Sequence, residues 1–315
     1  MTIYVHGALA FDNIKDYPAY FKDSILPDNI HQLNVSFQID RIVEKRGGTG
    51  GNISYNLALM HEHPKLVGST GEDAVPYIEF LREQGVDMEP TIVHANYRTS
   101  IADIITDKAN NQMTAFYVGA AAQPCNFSFK DIAHPEEVLL ILSPANNIPD
   151  TMRFIAEAKE LGMKYIFDPG QTTPDFSKEQ IIEAVNGAYI VIMNDYELEL
   201  MQNIAEMSEE EIRDAAEIVI KTLGKEGSHI MTADEIIKVP ICKEFELVDP
   251  TGAGDAYRAG FMKGIINDLP LYQCGLLGAT AASFAIAHHG TQDHYYSFQK
   301  LRDVYEKHFG ETCPV

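Results

Sequence analysis

The segment DPTGAGDAYRAGF (249–261) combines small residues with aspartates and continues as an amphipathic pattern that predicts a helix. Gly252 and Gly254 permit left-handed or crowded backbone conformations, so consecutive peptide N–H groups can converge on one point. The free N–H groups of the helix start and the positive end of its dipole face the same point. The peptides of Gly252, Ala253 and Gly254 therefore predict an anion-binding turn. Asp255 follows on the first helical turn, where a carboxylate either caps the helix or takes part in chemistry.

A second glycine-rich segment, RGGTGGNISYNLALM (46–60), places four glycines before an apolar helix, with Asn52 at the junction. It fits neither the G-x-G-x-x-G frame of dinucleotide-binding folds nor the Walker frame G-x-x-x-x-G-K-[ST]. One interpretation is a loop that ends with Asn52 as the helix N-cap. The other is a backbone that lies against a polyhydroxyl ligand, with Asn52 hydrogen-bonded to one hydroxyl. The segment alone does not decide between them.

Two further motifs lie between these segments. In NDYE (194–197), Asn194 and Glu197 share one face at a helix start, which suits either a capping box or the holding of water around Mg²⁺. In TLGKEGSHI (222–230), Gly224 and Gly227 suit either a phosphate contact or a helix C-cap followed by a turn. Both alternatives stay open for each motif.

Strand-like and helix-like patterns alternate from about residue 130 onward. This order predicts βαβ units, a mostly parallel sheet covered on both faces, and ligand sites at the carboxyl ends of the strands. Short β-branched runs predict strands at 2–9, 138–143, 164–168, 189–194 and 228–233. Helical periodicity predicts helices at 51–63, 74–85, 151–162, 208–224 and 271–290.

Two stretches interrupt this alternation, residues 13–46 and 91–118. The first contains the strand-like NVSFQIDRIVEK, and the second contains two strand-like runs that predict a hairpin across the polar turn DKANNQ. We interpret the two stretches together as a small accessory sheet that serves as a lid over the ligand site. Without internal repeats or linker-like segments, residues 1–315 are expected to form a single folding unit.

Composition excludes several classes of function. With 315 residues, 45% of them hydrophobic, the chain is long and apolar enough for a large α/β core. The net charge of -22, from 24 Lys and Arg against 46 Asp and Glu, argues against binding to nucleic acid or anionic membrane. We expect a cytoplasmic protein, because the four scattered cysteines form no C-x-x-C pair and neither a signal peptide nor a membrane-spanning run is recognisable.

Together, GGTGGN (47–52) and DPTGAGDAYRAGF resemble the two signatures of the ribokinase-like sugar and nucleoside kinases, the PfkB family. NDYE and TLGKEG fall between them, where the family carries its N-x-x-E and glycine elements. The resemblance covers essentially the whole chain. It implies a three-layer α/β/α core with a β-sheet lid, ATP as phosphoryl donor, and Mg²⁺ held by Glu197 through water. The positions that would contact ATP are Asn194, Thr222, Gly224, Gly227 and Thr251.

Other segments are similar to the bacterial adenosine kinases of this family, namely GALAFDNI, FKDSILPDNIHQLNVSFQID and DPGQ (168–171). This similarity implies phosphorylation of the 5′-hydroxyl of adenosine, a purine-salvage reaction that yields AMP and ADP. It also implies two sets of contacts. The ribose hydroxyls would be held by Asp12, Asn52 and the backbones of Gly47 and Gly48, while Gln171 and Phe116 would line the base pocket. The chain has Ile101 where an aromatic residue is expected, which leaves the base preference open.

The resemblance gives Asp255 the role of catalytic base, with Gly252, Ala253 and Gly254 forming an anion hole for the transferred phosphoryl group. It also places Asp249 and Thr251 near a monovalent cation, so K⁺ activation is expected. Phe37 belongs to a lid segment that contributes to a homodimer in the subgroup, and its side chain is expected to reach the substrate site of the partner subunit. The alternatives are a kinase for another nucleoside or a sugar, and a catalytically silent nucleoside-binding protein on the same scaffold.

Overall fold

The computed structural model describes residues 1–25, 34–109 and 111–315. These residues form two β-sheets and ten α-helices, nine of which contribute to the cores on the two faces of the larger sheet. The strands are β1 (Thr2–His6), β2 (Ala10–Asp16), β3 (Arg41–Gly47), β4 (Lys65–Gly71), β5 (Thr91–His94), β6 (Ser100–Thr106), β7 (Gln112–Tyr117), β8 (Val138–Leu142), β9 (Lys164–Phe167), β10 (Ile190–Asn194), β11 (Ile218–Thr222), β12 (Ser228–Met231) and β13 (Ile236–Val239). The α-helices are α1 (Phe21–Ser24), α2 (Thr49–Leu59), α3 (Val75–Glu83), α4 (Ile148–Leu161), α5 (Lys178–Val185), α6 (Asp195–Ala205), α7 (Glu209–Ala215), α8 (Ala253–Ile266), α9 (Leu271–Ala285) and α10 (Phe298–Phe309).

The large sheet has nine strands in the order β13-β12-β11-β10-β9-β8-β1-β4-β5. Pairing is parallel from β11 to β5, and β12 and β13 add an antiparallel edge. Side chains alternate between its two faces, so Ile3 and Val5 of β1 face one apolar core and Tyr4 faces the other. The first core includes residues of α2, α3, α8, α9 and α10, and the second includes residues of α4 to α7. The predicted three-layer α/β class is confirmed.

The five predicted strands are all present, but the helix predicted at 208–224 is wrong in its second half. Helix α7 ends at Ala215, and the following run forms β11, which pairs with β10. The Ser208 capping box gave a strong signal for the helix start, while neither Gly nor Pro separates the helix from the strand. The predicted helix therefore wrongly included the β-branched run IVIKT, which forms β11. Strand β4 was not among the predicted strands.

The small sheet has the order β3-β2-β6-β7 and includes the predicted hairpin between β6 and β7. In the hairpin turn, Asn110 lies outside the described residues, and the Asp107 carboxylate accepts hydrogen bonds from the backbone N–H groups of Ala109 and Asn111. The lid boundaries need correction. Thr91–His94 pairs with β4 at the edge of the large sheet, because a short β-branched run does not reveal which sheet it joins. Residues 34–39, predicted as a strand, are in none of the strands.

Helix α8 is held firmly against α9 by glycines at the helix crossing. A Cβ at Gly260 would lie 2.5 Å from the Leu277 carbonyl oxygen, and one at Gly264 would lie 2.7 Å from the Cys274 Cα. Only glycine permits this approach of two backbones. The start of α8 is therefore positioned by rigid packing. Within the described ranges, we find no helix with the length and apolar character needed to cross a membrane.

Candidate active site

Polar side chains collect where the parallel strands end. Ser143 and Asp168 directly follow β8 and β9, while Asn194 and Thr222 end β10 and β11. Carboxyl ends of parallel strands meet at one edge of a sheet, which is where ligands bind in open α/β folds. Helix α8 also begins at this edge. Its Arg258 Nη2 donates to the Asp168 Oδ1 at 2.5 Å, which ties the first turns of the helix to the end of β9.

The turn before α8 is held by the Asp249 carboxylate. Its Oδ1 accepts from the Thr251 N–H at 2.9 Å and its Oδ2 from the Gly290 N–H at 3.1 Å. Partial burial opposes ionisation, but these donors outweigh it and hold the pKa of Asp249 below its ordinary value. Gly252 is the N-cap of α8, with a φ of 81° that favours glycine.

The geometry at the helix start suits an anion, although its donors differ from the predicted set. The Ala253 N–H donates to the Pro250 carbonyl at 3.3 Å. Across the described residues, the N–H groups of Gly252, Gly254 and Asp255 have no such acceptor. These three donors, rather than the 252–254 peptides, are available to a ligand.

A buried cation lies directly beneath this turn. A Cβ at Gly254 would lie 2.7 Å from the Arg258 Nη1, so the guanidinium occupies the space that a side chain would need. Burial alone would lower the pKa of Arg258, but the charges of Asp168, Asp255 and Glu197 raise it above its ordinary value. The permanent positive charge of Arg258 adds to the helix dipole at this turn.

Asp255 is the third residue of α8, and its carboxylate faces the second glycine-rich segment. The Asn52 Nδ2 donates to the Asp255 Oδ2 at 2.8 Å, across 203 positions of sequence. Burial raises the pKa of Asp255 to about 6, against the effects of the Arg258 charge and the Asn52 hydrogen bond. The carboxyl is therefore mostly ionised at pH 7, though burial opposes the ionisation expected from its position at a helix start.

The Asn52 side chain does not cap its helix. Helix α2 begins at Thr49 with Gly48 as N-cap, so Asn52 lies in the first turn with its amide directed at Asp255. Gly48 has a φ of 86°, and a Cβ there would lie 2.5 Å from the Ala8 carbonyl oxygen. The interpretation of Asn52 as N-cap is thus wrong, and the glycines permit the close backbone approach that the other interpretation requires.

Asp12 lies beside the same segment. A Cβ at Gly47 would lie 2.6 Å from its Oδ2, so only glycine fits there. Burial, and then the charge of Asp249, raises the pKa of Asp12 to about 6. In the described part of the chain, the Asp12 carboxylate has no hydrogen-bond donor. A carboxylate in this condition is suited to accept hydrogen bonds from the hydroxyls of a ligand.

The lid register shows which side chains share a face with Asp12. Asp12 pairs with Lys45 of β3 and Ala102 of β6, and Ala102 pairs with Phe116 of β7. Cross-strand partners point to the same face, so Phe116, which is 49% exposed, lies on the Asp12 face of the lid. Ile101 lies on the opposite face, in register with Tyr117. The β6 residue directly opposite Asp12, and on its face of the lid, is therefore Ala102 rather than Ile101.

The other two residues predicted to contact the nucleoside lie apart from each other. Gln171 is exposed in the 3-10 turn Gly170–Asp175, close in sequence to Asp168 at the same sheet edge. The ring of Phe37 packs against Tyr17 and Phe21, with centroids 4.8 and 5.2 Å away. The ring contacts of Phe37 are thus with an aromatic cluster at the start of the chain, not with Asp12.

Asn194 and Glu197 form a capping box. The Glu197 N–H donates to the Asn194 Oδ1 at 2.7 Å, and the Asn194 N–H donates to the Glu197 Oε2 at 2.8 Å. Burial raises the pKa of Glu197 even though the Asn194 N–H opposes the shift, and the charges of Arg258 and Asp168 also act on it. Glu197 therefore caps α6 while its carboxylate lies in the same electrostatic environment as Asp255.

The glycine turn at 224–227 joins β11 to β12. Gly224 and Gly227 have φ of 53° and 89°, and a Cβ at Gly227 would collide with the Val239 carbonyl. The turn therefore requires glycine at position 227, and the left-handed φ favours glycine at position 224. It connects two strands and is not a helix C-cap. Thr222 is in register with Asn194, so its side chain lies at the sheet edge described above.

The sequence of this chain is similar to a known protein family over most of its length. Residues 16–296 match the family model described as pfkB family carbohydrate kinase. The chain belongs to this family. It is 31% identical over 278 residues to the nucleoside kinase of Methanocaldococcus jannaschii, which covers 87% of this chain and 90% of that protein.

Solved structures agree with this assignment. The nucleoside kinase of Burkholderia thailandensis in complex with inosine superimposes with a TM-score of 0.88 and 29% identity over 99% of both chains. Its complex with ADP-inosine gives a TM-score of 0.86 and 30% identity, over 99% of this chain and 97% of that one. The predicted pfkB family and ribokinase-like fold are confirmed. This pfkB protein is a phosphotransferase that acts on a hydroxyl group.

Sequence reasoning missed several side chains that surround the candidate base. Arg258 lies inside the quoted signature, but an arginine on an amphipathic helix gives no sign that it pairs with Asp168 at the sheet edge. Gln292 and Tyr77 gave no signal, because their neighbours in sequence form no motif. Both belong to hydrogen bonds that reach Asn52.

The raised pKa of Asp255 predicts a dependence of stability on pH. A carboxyl whose folded-state pKa lies above its ordinary value of 3.8 contributes stability below about pH 4 and loses it as the pH rises through about 6. Asp255→Asn removes the buried charge, so it should stabilise the ligand-free protein at pH 8 by about 1–2 kcal/mol, with no gain near pH 4. Urea unfolding at the two pH values measures this difference.

The control is Asp175→Asn at an exposed carboxylate, which should change stability little at either pH. A loss of stability for Asp255→Asn at pH 8, or an equal gain at both pH values, would contradict the assigned burial of Asp255.

Proposed function

We propose that this protein is an ATP-dependent kinase that phosphorylates the 5′-hydroxyl of adenosine, giving AMP and ADP in purine salvage. The observation that carries the proposal is the hydrogen bond between Asn52 and Asp255 at the start of α8. It brings the residue suited to bind a ligand hydroxyl within 2.8 Å of the residue suited to take a proton. The similarity to two nucleoside kinases supports a nucleoside as the acceptor. The whole chain would act as one kinase unit, with the small sheet as its lid.

In the proposed reaction, Asp255 accepts the proton of the 5′-hydroxyl as that oxygen attacks the γ-phosphorus of ATP. With a pKa of about 6, the carboxyl is largely deprotonated at neutral pH and still basic enough to share a proton in the transition state. Asp12 and Asn52 hold the ribose hydroxyls, and the Gly47 and Gly48 backbones allow the sugar to approach. Phe116, on the Asp12 face of the lid, and Gln171 would then border the base.

The turn at 252–255 stabilises the charge of the transferred phosphoryl group. The free N–H groups of Gly252, Gly254 and Asp255 supply neutral donors, and the Arg258 guanidinium beneath Gly254 supplies a buried charge. We propose that the rest of ATP extends along the ends of β10 and β11. It would contact Asn194, Thr222, Gly224, Gly227 and Thr251 there.

The residues present also fit a magnesium ion carried by the nucleotide. No group of three His, Cys, Asp or Glu side chains able to hold a metal occurs in the described ranges, so the protein offers no complete cage. Mg²⁺ commonly binds through one or two carboxylates, water and phosphates, and the second oxygen of Glu197 suits such a water-mediated contact. When bound, Mg²⁺ neutralises charge on the β- and γ-phosphates.

The proposed K⁺ effect involves Asp249. Each of its oxygens already accepts one backbone N–H but has a further lone pair for a cation. A cation there would reinforce the turn that positions the anion-binding N–H groups.

We further propose a homodimer formed through the lid. The lid face opposite Asp12 exposes the apolar side chains of Ile42 and Tyr117, which are 66% and 50% exposed. If these side chains form the dimer contact, Ile42→Lys should sediment as a monomer at concentrations where the wild type sediments as a dimer. Sedimentation velocity of the two proteins tests this association.

Another nucleoside is the second candidate acceptor, because the B. thailandensis relative was solved with inosine. A free sugar would leave Phe116 and Gln171 without a partner. A catalytically silent binding protein would retain the pocket but has no need for Asp255, whose buried charge lowers stability.

The acceptor is tested by ADP production from ATP and Mg²⁺ with adenosine, inosine, guanosine, cytidine, ribose and fructose 6-phosphate. We expect adenosine to give the highest kcat/KM. A higher value for another nucleoside would retain the kinase and replace adenosine as its substrate. Binding of a nucleoside without turnover of any acceptor would instead support the silent scaffold.

The base is tested by Asp255→Asn, which should lower kcat by about 10²-fold or more with little change in nucleoside affinity. In the wild type, kcat/KM should fall as the pH decreases through about 6, because protonated Asp255 cannot accept the hydroxyl proton. Near-normal turnover of the variant would remove Asp255 from this role. Asp175→Asn serves as the control for a general effect of lost negative charge.

The cation sites are tested by titration. Glu197→Gln should increase the Mg²⁺ concentration needed for half-maximal rate by several-fold, since a neutral amide holds hydrated Mg²⁺ less strongly. An unchanged Mg²⁺ titration would leave Glu197 with its capping role only. Replacing K⁺ by tetramethylammonium should lower the wild-type rate, and equal rates would exclude the K⁺ effect.

A further inference from the structure

The segment 290–294, between α9 and α10, connects the candidate base to the lid. The Gly290 N–H donates to Asp249, and the Thr291 hydroxyl donates to the Arg46 carbonyl at 3.0 Å. Asp293 pairs with Lys45 of β3. Gln292 lies between these contacts with only 3% of its surface exposed. A segment that contacts both motifs and the lid can set the geometry of the site without touching substrate.

The Gln292 amide donates twice. Its Nε2 donates to the Asn52 Oδ1 at 2.8 Å and also to the Tyr77 hydroxyl. The Tyr77 hydroxyl donates in turn to the Gly47 carbonyl oxygen at 2.9 Å. Two points of the 46–60 segment, the Asn52 side chain and the Gly47 carbonyl, are therefore linked through one buried side chain.

The direction of every hydrogen bond in this network follows from the Gly47 carbonyl. A carbonyl oxygen only accepts, so the Tyr77 hydroxyl uses its single proton there. The Tyr77 oxygen must then accept from Gln292, which places the Gln292 NH2 group toward both Tyr77 and Asn52. Asn52 consequently turns its oxygen to Gln292 and its NH2 group to Asp255. Reversing the Asn52 amide would place two NH2 groups face to face and an oxygen against the Asp255 carboxylate.

This arrangement leaves one buried acceptor unsatisfied. The Gln292 Oε1 has no hydrogen-bond partner in the described part of the chain. Leaving a buried polar atom unpaired is unfavourable, and such atoms call for an explanation in function. Here the unpaired oxygen follows from using both NH2 hydrogens of Gln292 on Tyr77 and Asn52.

We propose that Gln292 is a positioning residue that fixes the Asn52 amide so that it donates to Asp255 and offers only N–H to the ligand. This inference rests on the proposed role of Asp255 as base. It specifies how the acceptor binds, because the ligand hydroxyl at Asn52 must accept from the remaining Nδ2 hydrogen. The proton of that hydroxyl is then free to be donated to the Asp12 carboxylate. A ligand without a hydroxyl oxygen at this position would leave the Asn52 N–H unpaired and bind weakly.

Several groups besides Asn52 act on Asp255. Arg258 faces it from the same helix, Asp168 from the end of β9, and Glu197 from α6. In the described part of the chain, the hydrogen bonds of Gln292 go to Asn52 and Tyr77 and to none of these three charged groups, so a Gln292 substitution acts on Asp255 through the Asn52 hydrogen bond. Its effect can therefore be separated from a change in these charges.

The test uses Gln292→Met, which keeps the length of the side chain but removes both donors. The pKa of the Asp255 carboxyl, followed by ¹³C NMR and assigned with Asp255→Asn, should rise by about half a unit or more. The nucleoside kcat/KM should fall by about 10-fold, while the KM for ATP stays unchanged. Thr291→Val, which removes the neighbouring hydroxyl but retains its shape, should leave the Asp255 pKa at the wild-type value.

An unchanged Asp255 pKa in Gln292→Met, or the same shift in Thr291→Val, would overturn the proposal. If Gln292→Met does not fold, the wild type still tests it. With ¹⁵N-labelled asparagine, the chemical shift of an Asn52 side-chain N–H should change with pH at the same midpoint as the Asp255 carboxyl. A chemical shift that does not change over the Asp255 titration would refute the assigned orientation of the Asn52 amide. These NMR results do not depend on turnover, and turnover of Asp255→Asn separately tests the proposed function.

Discussion

The candidate site is built around a carboxylate that is buried at the start of a helix and is nevertheless mostly ionised at neutral pH. Burial opposes the charge of Asp255, and three features offset it: the Arg258 guanidinium, the Asn52 amide and the helix dipole. The balance gives a pKa of about 6. A fully exposed aspartate would be a weaker base, and a fully desolvated one would hold its proton at neutral pH. The surrounding structure therefore has to keep each offsetting group at a fixed distance.

Rigid packing supplies those distances. Arg258 is held by Asp168 at the end of a buried strand, and α8 is held against α9 by contacts that only glycine permits. Asn52 is held through Gln292 and Tyr77 to the Gly47 backbone. The sheet edge, the helix pair and the glycine-rich segment thus converge on one carboxylate from three directions. Each is built from residues far apart in the sequence, which is why the site requires the complete fold.

The sequence predicted the parts of this arrangement that are local. Glycine spacing and helical periodicity were enough to place Asp255 on the first turn of α8 and Asn52 in a tight backbone segment. They did not reveal the start of β11, because neither Gly nor Pro separates the capped acidic helix α7 from the β-branched strand that follows it. They also did not assign Thr91–His94 to the large sheet, since strand pairing is a long-range property. Arg258, Tyr77 and Gln292 escaped notice because their roles depend on contacts across the fold.

The net charge of -22 poses a difficulty for a phosphotransferase, and the backbone dipoles at the start of α8 offset it locally. Backbone N–H groups carry partial charge at no cost in side-chain entropy, and they remain in place when no ligand is bound. The Arg258 guanidinium beneath the turn is buried and paired with Asp168, so its positive charge stays in a fixed position next to the site. Fixed dipoles and a paired cation keep their positive potential at one place in the fold. A cluster of free lysines would instead attract phosphates of any kind, so this arrangement limits the site to ligands that fit its geometry.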